Sequence, residues 1–402
     1  MNKPLHIHAF HPPRRILLGP GPSDVHRRVL DAMARPTIGH LDPKFCDMME
    51  EMKTLLRYAF QTENQLTFPL SAPGSVGMES CFVNLVEPGD KVIVCSNGVF
   101  GRRMVENVKR CRGELVIVED AWGAAVDPQK LEDTLKANTD TRIVAFVHAE
   151  TSTGVESDAK LLTEIAHRHG ALVIVDAVTS LACMPLLVDE WHIDAIYSGS
   201  QKGLSCTPGL SPVSFGERAI AKIKARTSPV QSWFMDLNLV MAYWGDAQGG
   251  AKRTYHHTAP VNALYGLHES LVMLVEEGLE PRWKRHHNNY LALVAGLEAL
   301  GLKLLVAEKS RLPQLNSVVV PEGINEPQVR ADMLNKHGIE IGAGLGDLAG
   351  KIFRIGLMGT SSSQDNVITC LSALQAVLAE QNWKIQAGVA VTAAREMFET
   401  NH

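Results

Sequence analysis

The chain has 402 residues, 45% of them apolar and 21% charged, with a net charge of −5. That profile suits a folded core of about two domains, and it excludes a broad basic surface for nucleic acid or anionic membrane. No apolar run reaches the roughly eighteen residues that a membrane-crossing helix needs. The opening stretch, MNKPLHIHAFHPPRR, lacks the apolar core of a secretory signal. The closing FETNH is not the peroxisomal Ser-Lys-Leu address. Seven cysteines, an odd number, are scattered without CxxC spacing and read as reduced thiols, so a cytoplasmic location is expected.

In chain order, RRILLGPGPSDVHRRVLDAM reads as an extended piece, a Gly/Pro turn and a helix, placed across a junction between domains. From about residue 65, strand-like runs alternate with helical ones. QLTFPL leads into a glycine-containing turn and the helix-like GMESCFVNLV, and KVIVCSN leads into GRRMVENVKRC. ELVIVED, RIVAFVHAE, ALVIVDA and DAIYSGS follow, with a helix over residues 158–169, and PVSFG closes the series. This βαβ rhythm predicts an α/β domain with a mostly parallel sheet and helices on both faces. A long helical stretch over residues 262–278 and 282–300 comes next. Strand-like NSVVV and FRIGL, with helices over 326–336 and 365–380, then predict a smaller C-terminal α+β domain. The expected division is an extended segment over 1–24, a large domain over 25–280 and a small domain over 281–402.

ALVIVDA ends on Asp176, and DAIY runs into Ser198-Gly199-Ser200-Gln201-Lys202. If both runs are parallel strands, the acid and the lysine share the carboxyl rim where open α/β sheets bind ligands. Pyridoxal phosphate suits such a pair: it needs an amine for a Schiff base and a carboxylate to keep its ring nitrogen protonated. The flanks of Lys202 are small and uncharged, which fits a pocket lysine, while a surface loop lysine fits the same pattern. Asp176 alone also fits a helix cap at a strand end.

Ser71-Ala72-Pro73-Gly74-Ser75 follows a strand and opens a helix, the geometry of a phosphate-binding turn, and is not G-x-G-x-x-G, which argues against a nicotinamide dehydrogenase. Thr151, in HAETSTG, suits a ring hydroxyl or the substrate, or an ordinary polar loop. Tyr255-His256-His257-Thr258, after basic Lys252 and Arg253, offers hydroxyls to a phosphate. The two adjacent histidines are expected to point apart, and no metal site is expected from them. Arg354 lies inside an apolar strand and requires an anion, either a substrate carboxylate or an internal partner. Cys206, near Lys202, reads as packing.

These pieces together resemble the class V aminotransferases of fold-type I, near the alanine–glyoxylate and serine–pyruvate enzymes. The resemblance runs from LLGPGPSDV to RIGLMGTSSSQDNV, with HAETSTGV, VDAVTSL, YSGSQKGLSCTPG, YHHTAPVNALYGLHESL and KIFRIGLMG its most specific parts. It implies a fold-type I PLP-dependent transferase with a seven-stranded sheet in the large domain. It also implies pyridoxal 5′-phosphate as cofactor and a homodimer with shared sites.

By the same resemblance, Lys202 is the lysine that bonds the cofactor and Asp176 the carboxylate at its ring nitrogen. Val178 and Phe100 lie against the two ring faces, with Phe100 where many members carry tryptophan. Gly74, Ser75 and Gln201 form the phosphate cup, joined by Tyr255 and Thr258 of the neighbouring subunit. Thr151 meets the ring hydroxyl, and Gly21, His40, Thr151 and Arg354 surround the substrate. Relatives often read Ser-Gly-Ser-Gly-His where this chain has Ser-Ala-Pro-Gly-Ser. The implied activity moves an amino group from alanine or serine to glyoxylate or pyruvate, with ureidoglycine as the alternative donor. Ureidoglycine enzymes tend to carry Gln at the position of His40 and Asn at that of Tyr255, so both positions favour the first reading. A desulfurase-type lyase would need a mobile cysteine in the C-terminal half, where only Cys370 stands, in a helix-like run.

Overall fold

The protein, described here from a computed structural model, is seen over residues 7–244, 253–384 and 386–400. Seven strands form the main sheet. They are β1 (Leu66–Leu70), β2 (Lys91–Ser96), β3 (Glu114–Glu119), β4 (Thr141–Val147), β5 (Leu172–Asp176), β6 (Ala195–Tyr197) and β7 (Ser211–Phe215), in the order β1-β7-β6-β5-β4-β2-β3. Only β7 runs antiparallel to its neighbours. Parallel strands covered on both faces must be apolar throughout, which is why LVIVD of β5 is a continuous buried run. The edge strand β3 exposes Glu114, Ile117 and Glu119 instead.

One consequence of the parallel arrangement positions the site. The carboxyl ends of β1, β2, β4, β5 and β6 open on a single rim. Helix α1 (Gly74–Leu85) starts just after β1, and helix α2 (Val99–Arg110) just after β2. The expected helix after β4 spans Ala159–Arg168. The long helical stretch is two helices, Val261–Glu277 and Leu279–Ala299, that meet at Gly278, whose φ is 84°.

A second sheet takes the order β8 (Lys303–Leu304), β9 (Leu315–Val319), β11 (Ile352–Gly356), β10 (Gly342–Ala343). Helices Glu326–His337 and Gln364–Glu380 cover it, around a core that includes Val318, Phe353, Ile355 and Leu371. A last helix, Val389–Thr400, was not anticipated. It buries Ala390, Ala394 and Phe398 against the small core, and its apolar face is made mainly of alanine, a weak signal of burial.

The N-terminal segment joins the two sheets. Ile16–Leu17 pairs with Ile339–Glu340, Leu18 enters the small core, and Gly356 N donates to Leu18 O at 2.8 Å. A few residues on, the Ser23 hydroxyl donates to Lys202 O at 2.8 Å. The chain therefore runs from the small sheet directly to the loop that carries the lysine.

Candidate active site

Asp176 ends β5 and is 2% exposed. One carboxylate oxygen accepts from Val178 N and the other from the Tyr197 hydroxyl, both at 2.8 Å. The bond to Val178 is the turn-capping one that sequence allowed. It does not exclude the other role, because among the described residues no cation is bonded to the buried carboxylate. Burial pushes its pKa up to about 7, against the two hydrogen bonds that favour the anion.

Lys202 follows β6 by five residues and is 8% exposed, so it is a pocket lysine and not a surface one. Its amine donates to Pro20 O. Burial and the nearby Arg354 charge lower its pKa to about 8, while Asp176 acts in the opposite sense. Gly21, at φ 108°, lies so close to the Lys202 side chain that a Cβ there would overlap it.

Gly74 opens α1 and packs on Val178 and on Ser198-Gly199, with an added Cβ meeting Val178 Cγ2 and Ser198 O at 3.4 Å. The preceding Pro73 gives the helix no side-chain cap. Ser75 is exposed beside it, and the Gln201 Oε1 is buried without a partner. Thr151 is buried, with its hydroxyl 2.5 Å from that of Thr179. Phe100, in the first turn of α2, is half-buried, and the Arg103 guanidinium stacks 4.8 Å from its ring centre.

Arg354 is 6% exposed and settles one alternative left open by sequence. Its Nε donates to Ala343 O at 2.6 Å and its Nη1 to Thr151 O at 3.0 Å. No carboxylate is bonded to it among the described residues, so it is not consumed by an internal salt bridge. Burial draws its pKa down to about 10, and Glu150 opposes this through space.

Among the remaining expected residues, Tyr255 and Thr258 make no hydrogen bond to Asp176, Lys202 or Gln201 within the chain. Tyr255 is 59% exposed and Thr258 is exposed too. Tyr255 lies near His40, with ring centres 5.4 Å apart, and His40 keeps a buried, unpartnered Nε2. The adjacent histidines do not point apart as expected: the Nδ1 atoms of His256 and His257 approach to 2.8 Å. They lie in an irregular segment, where no helix or strand period fixes the direction of neighbouring side chains. His257 also meets the Ser71 hydroxyl at 2.7 Å, and burial lowers its pKa to about 4, so the ring is neutral. Lys252 lies outside the described residues. Cys206 is fully buried and its thiol is pushed up to about 11, as a packing residue should be.

Sequence reasoning missed two side chains. Tyr197 read only as the end of a strand, yet its hydroxyl holds Asp176. Glu150 read as part of a polar loop, yet it is 0% exposed and takes four hydrogen bonds. Neither has a local signal, because each is defined by a partner distant in sequence.

The donor set fits pyridoxal phosphate. A buried carboxylate without a cation, a buried amine of lowered pKa and an uncapped helix start with an orphaned amide stand on one rim. The sequence pattern described as "Aminotransferase class-V" matches residues 17–360. Alanine–glyoxylate aminotransferase from Oryctolagus cuniculus is 39% identical over 91% of this chain and 93% of its own length. The solved alanine–glyoxylate aminotransferase from Nostoc sp. superposes with a TM-score of 0.90 at 43% identity, covering 93% of this chain and 98% of the other. The solved ureidoglycine–glyoxylate aminotransferase from Bacillus subtilis gives 0.94 at 38% identity, covering 98% and 100%.

Proposed function

The chain belongs to the class-V aminotransferases and uses pyridoxal 5′-phosphate, and on that premise we propose that it moves an amino group from alanine or serine to glyoxylate or pyruvate. The observation that carries the reading is the pair of buried cations, Lys202 and Arg354, neither bonded to a carboxylate among the described residues. One cation suits the cofactor and the other the carboxylate shared by every amino acid and 2-oxo acid. The cofactor, when bound, supplies an aldehyde that exchanges amino groups and a protonated ring that withdraws electrons from the substrate Cα.

The residues then divide the work. Lys202, whose amine loses its proton as pH rises through about 8, would hold the cofactor through its aldehyde and give way to the donor amine. The same amine would then serve as the base for the substrate Cα proton and as the acid that gives it back. Asp176, fixed by Val178 and Tyr197, would hold the proton on the ring nitrogen. Arg354 would orient the substrate carboxylate, and Thr151 would meet the ring hydroxyl. Gly74, Ser75 and Gln201 would receive the phosphate.

Tyr255 and Thr258 complete the phosphate site from a second copy, in a homodimer with shared sites. Their exposure supports this, as do the exposed Trp233 and Leu41. So does an open cleft of about 550 Å³ that runs from Ser75 past Val99 and Arg103 to Trp122. All seven cysteines are free, which supports a cytoplasmic setting.

His40 and Tyr255 favour alanine or serine as donor, while the likeness to the Bacillus subtilis enzyme favours ureidoglycine. A half-reaction screen decides between them. The cofactor-loaded protein is mixed with each donor and the loss of its visible absorbance is followed. Faster bleaching by alanine or serine is the expected result, and a preference for ureidoglycine overturns the ranking.

A further inference from the structure

Glu150 is a buried carboxyl with no cation bonded to it among the described residues; burial raises its pKa, and a charge there costs free energy unless hydrogen bonds stabilise it. Its Oε2 accepts from Phe100 N at 3.1 Å and Gly101 N at 3.3 Å. Its Oε1 accepts from Ser152 N at 3.0 Å and the Ser152 hydroxyl at 2.6 Å. The Ser152 oxygen in turn accepts from Val99 N at 3.0 Å. Three successive N–H groups at the start of α2 are thus satisfied from another loop. The helix's own cap position is Gly98, which makes no side-chain cap. A Cβ at Gly98 would fall 2.5 Å from Glu150 Cδ and from Ser152 Oγ, so the glycine leaves room for this external cap. The carboxylate also sits at the positive end of the helix dipole.

We propose that Glu150 is a positioning residue for the cofactor: with Ser152 it fixes the first turn of α2, and so the ring of Phe100, and its charge acts on Asp176. The inference rests on the pyridoxal phosphate site described above but not on the choice of amino donor. Glu150 interacts through space with Asp176 of β5, Tyr197 of β6 and Arg354 of β11. Asp176 faces Glu150, Tyr197, Lys202 and, from α1, Cys81. Of these, Glu150 is the other carboxyl, and in its ionised form it opposes ionisation of Asp176.

The test uses pyridoxine 5′-phosphate, which has an alcohol in place of the aldehyde and so forms no bond with Lys202. Its dissociation constant is measured by fluorescence against pH for the parent, Glu150→Gln and Ser152→Ala. The ring and phosphate of the probe titrate alike in all three and cancel in the comparison. Parent affinity should fall as pH drops through about 7, where Asp176 takes a proton. Glu150→Gln should bind about tenfold more weakly at pH 8, from the lost cap. Its acid limb should move down by about half a pH unit or more, because Asp176 loses a like-charge neighbour. Ser152→Ala keeps the charge, and should bind several-fold more weakly with the limb unmoved. Parent-like affinity in either variant, or an unmoved limb in Glu150→Gln, overturns the proposal. If Glu150→Gln does not fold, Ser152→Ala still decides the positioning claim. A parent that binds no probe would instead sink the cofactor site itself.

Discussion

Lys202 is the residue whose chemistry depends most on where the chain puts it. An exposed lysine amine is almost wholly protonated at neutral pH and a poor nucleophile. Burial and the Arg354 charge bring this one to about 8 in the absence of cofactor. The sign follows directly: the reactive, neutral amine accumulates as pH rises through about 8 and is nearly complete one unit higher. The rate of cofactor capture by the cofactor-free protein, followed by stopped-flow absorbance, should therefore rise up to about pH 9 and then level off. A rate that keeps climbing past pH 10 would show an amine with ordinary solvation. The placement of Asp176 and Lys202 was legible from sequence because Asp176 ends one apolar strand run and Lys202 follows the next one by five residues, on a shared rim. Glu150 and Tyr197 were not, since their significance lies in bonds to Phe100, Gly101 and Asp176, which sequence spacing does not reveal.

At the scale of elements, the strands of the main sheet were readable because buried parallel strands are continuous apolar runs with helices between them. The helix Val389–Thr400 escaped notice because alanine carries its buried face. The seating of the N-terminal segment on the small sheet was also beyond reach, as it depends on close backbone approach. Gly356 of β11 lies so near Gly19 that an added Cβ would overlap the Gly19 carbonyl oxygen. Backbone on both sides leaves no flexible side chain to yield. Gly356→Ala should lower stability by about 1–3 kcal/mol in urea unfolding. It should also weaken cofactor binding, since the displaced segment carries Pro20 and Gly21 against Lys202. An unchanged unfolding midpoint would mean that the segment is not clamped there.

For the whole molecule, the proposed dimer makes a distinctive demand. If Tyr255 and Thr258 serve the partner's phosphate, a Lys202→Ala chain still offers an intact loop, and a Tyr255→Phe/Thr258→Ala chain still offers an intact lysine. Mixing the two after subunit exchange should restore activity well above the sum of the separate variants, because hybrid dimers regain one complete site. Activity equal to that sum would place each site within a single chain. The account as a whole stands on Lys202 bonding the cofactor, and borohydride trapping followed by peptide mass spectrometry tests that most directly. Reduction of the cofactor-loaded protein should leave the pyridoxyl mass on the peptide containing Lys202 and nowhere else, with no label in Lys202→Ala. A label on another lysine, or none on the parent protein, would contradict it.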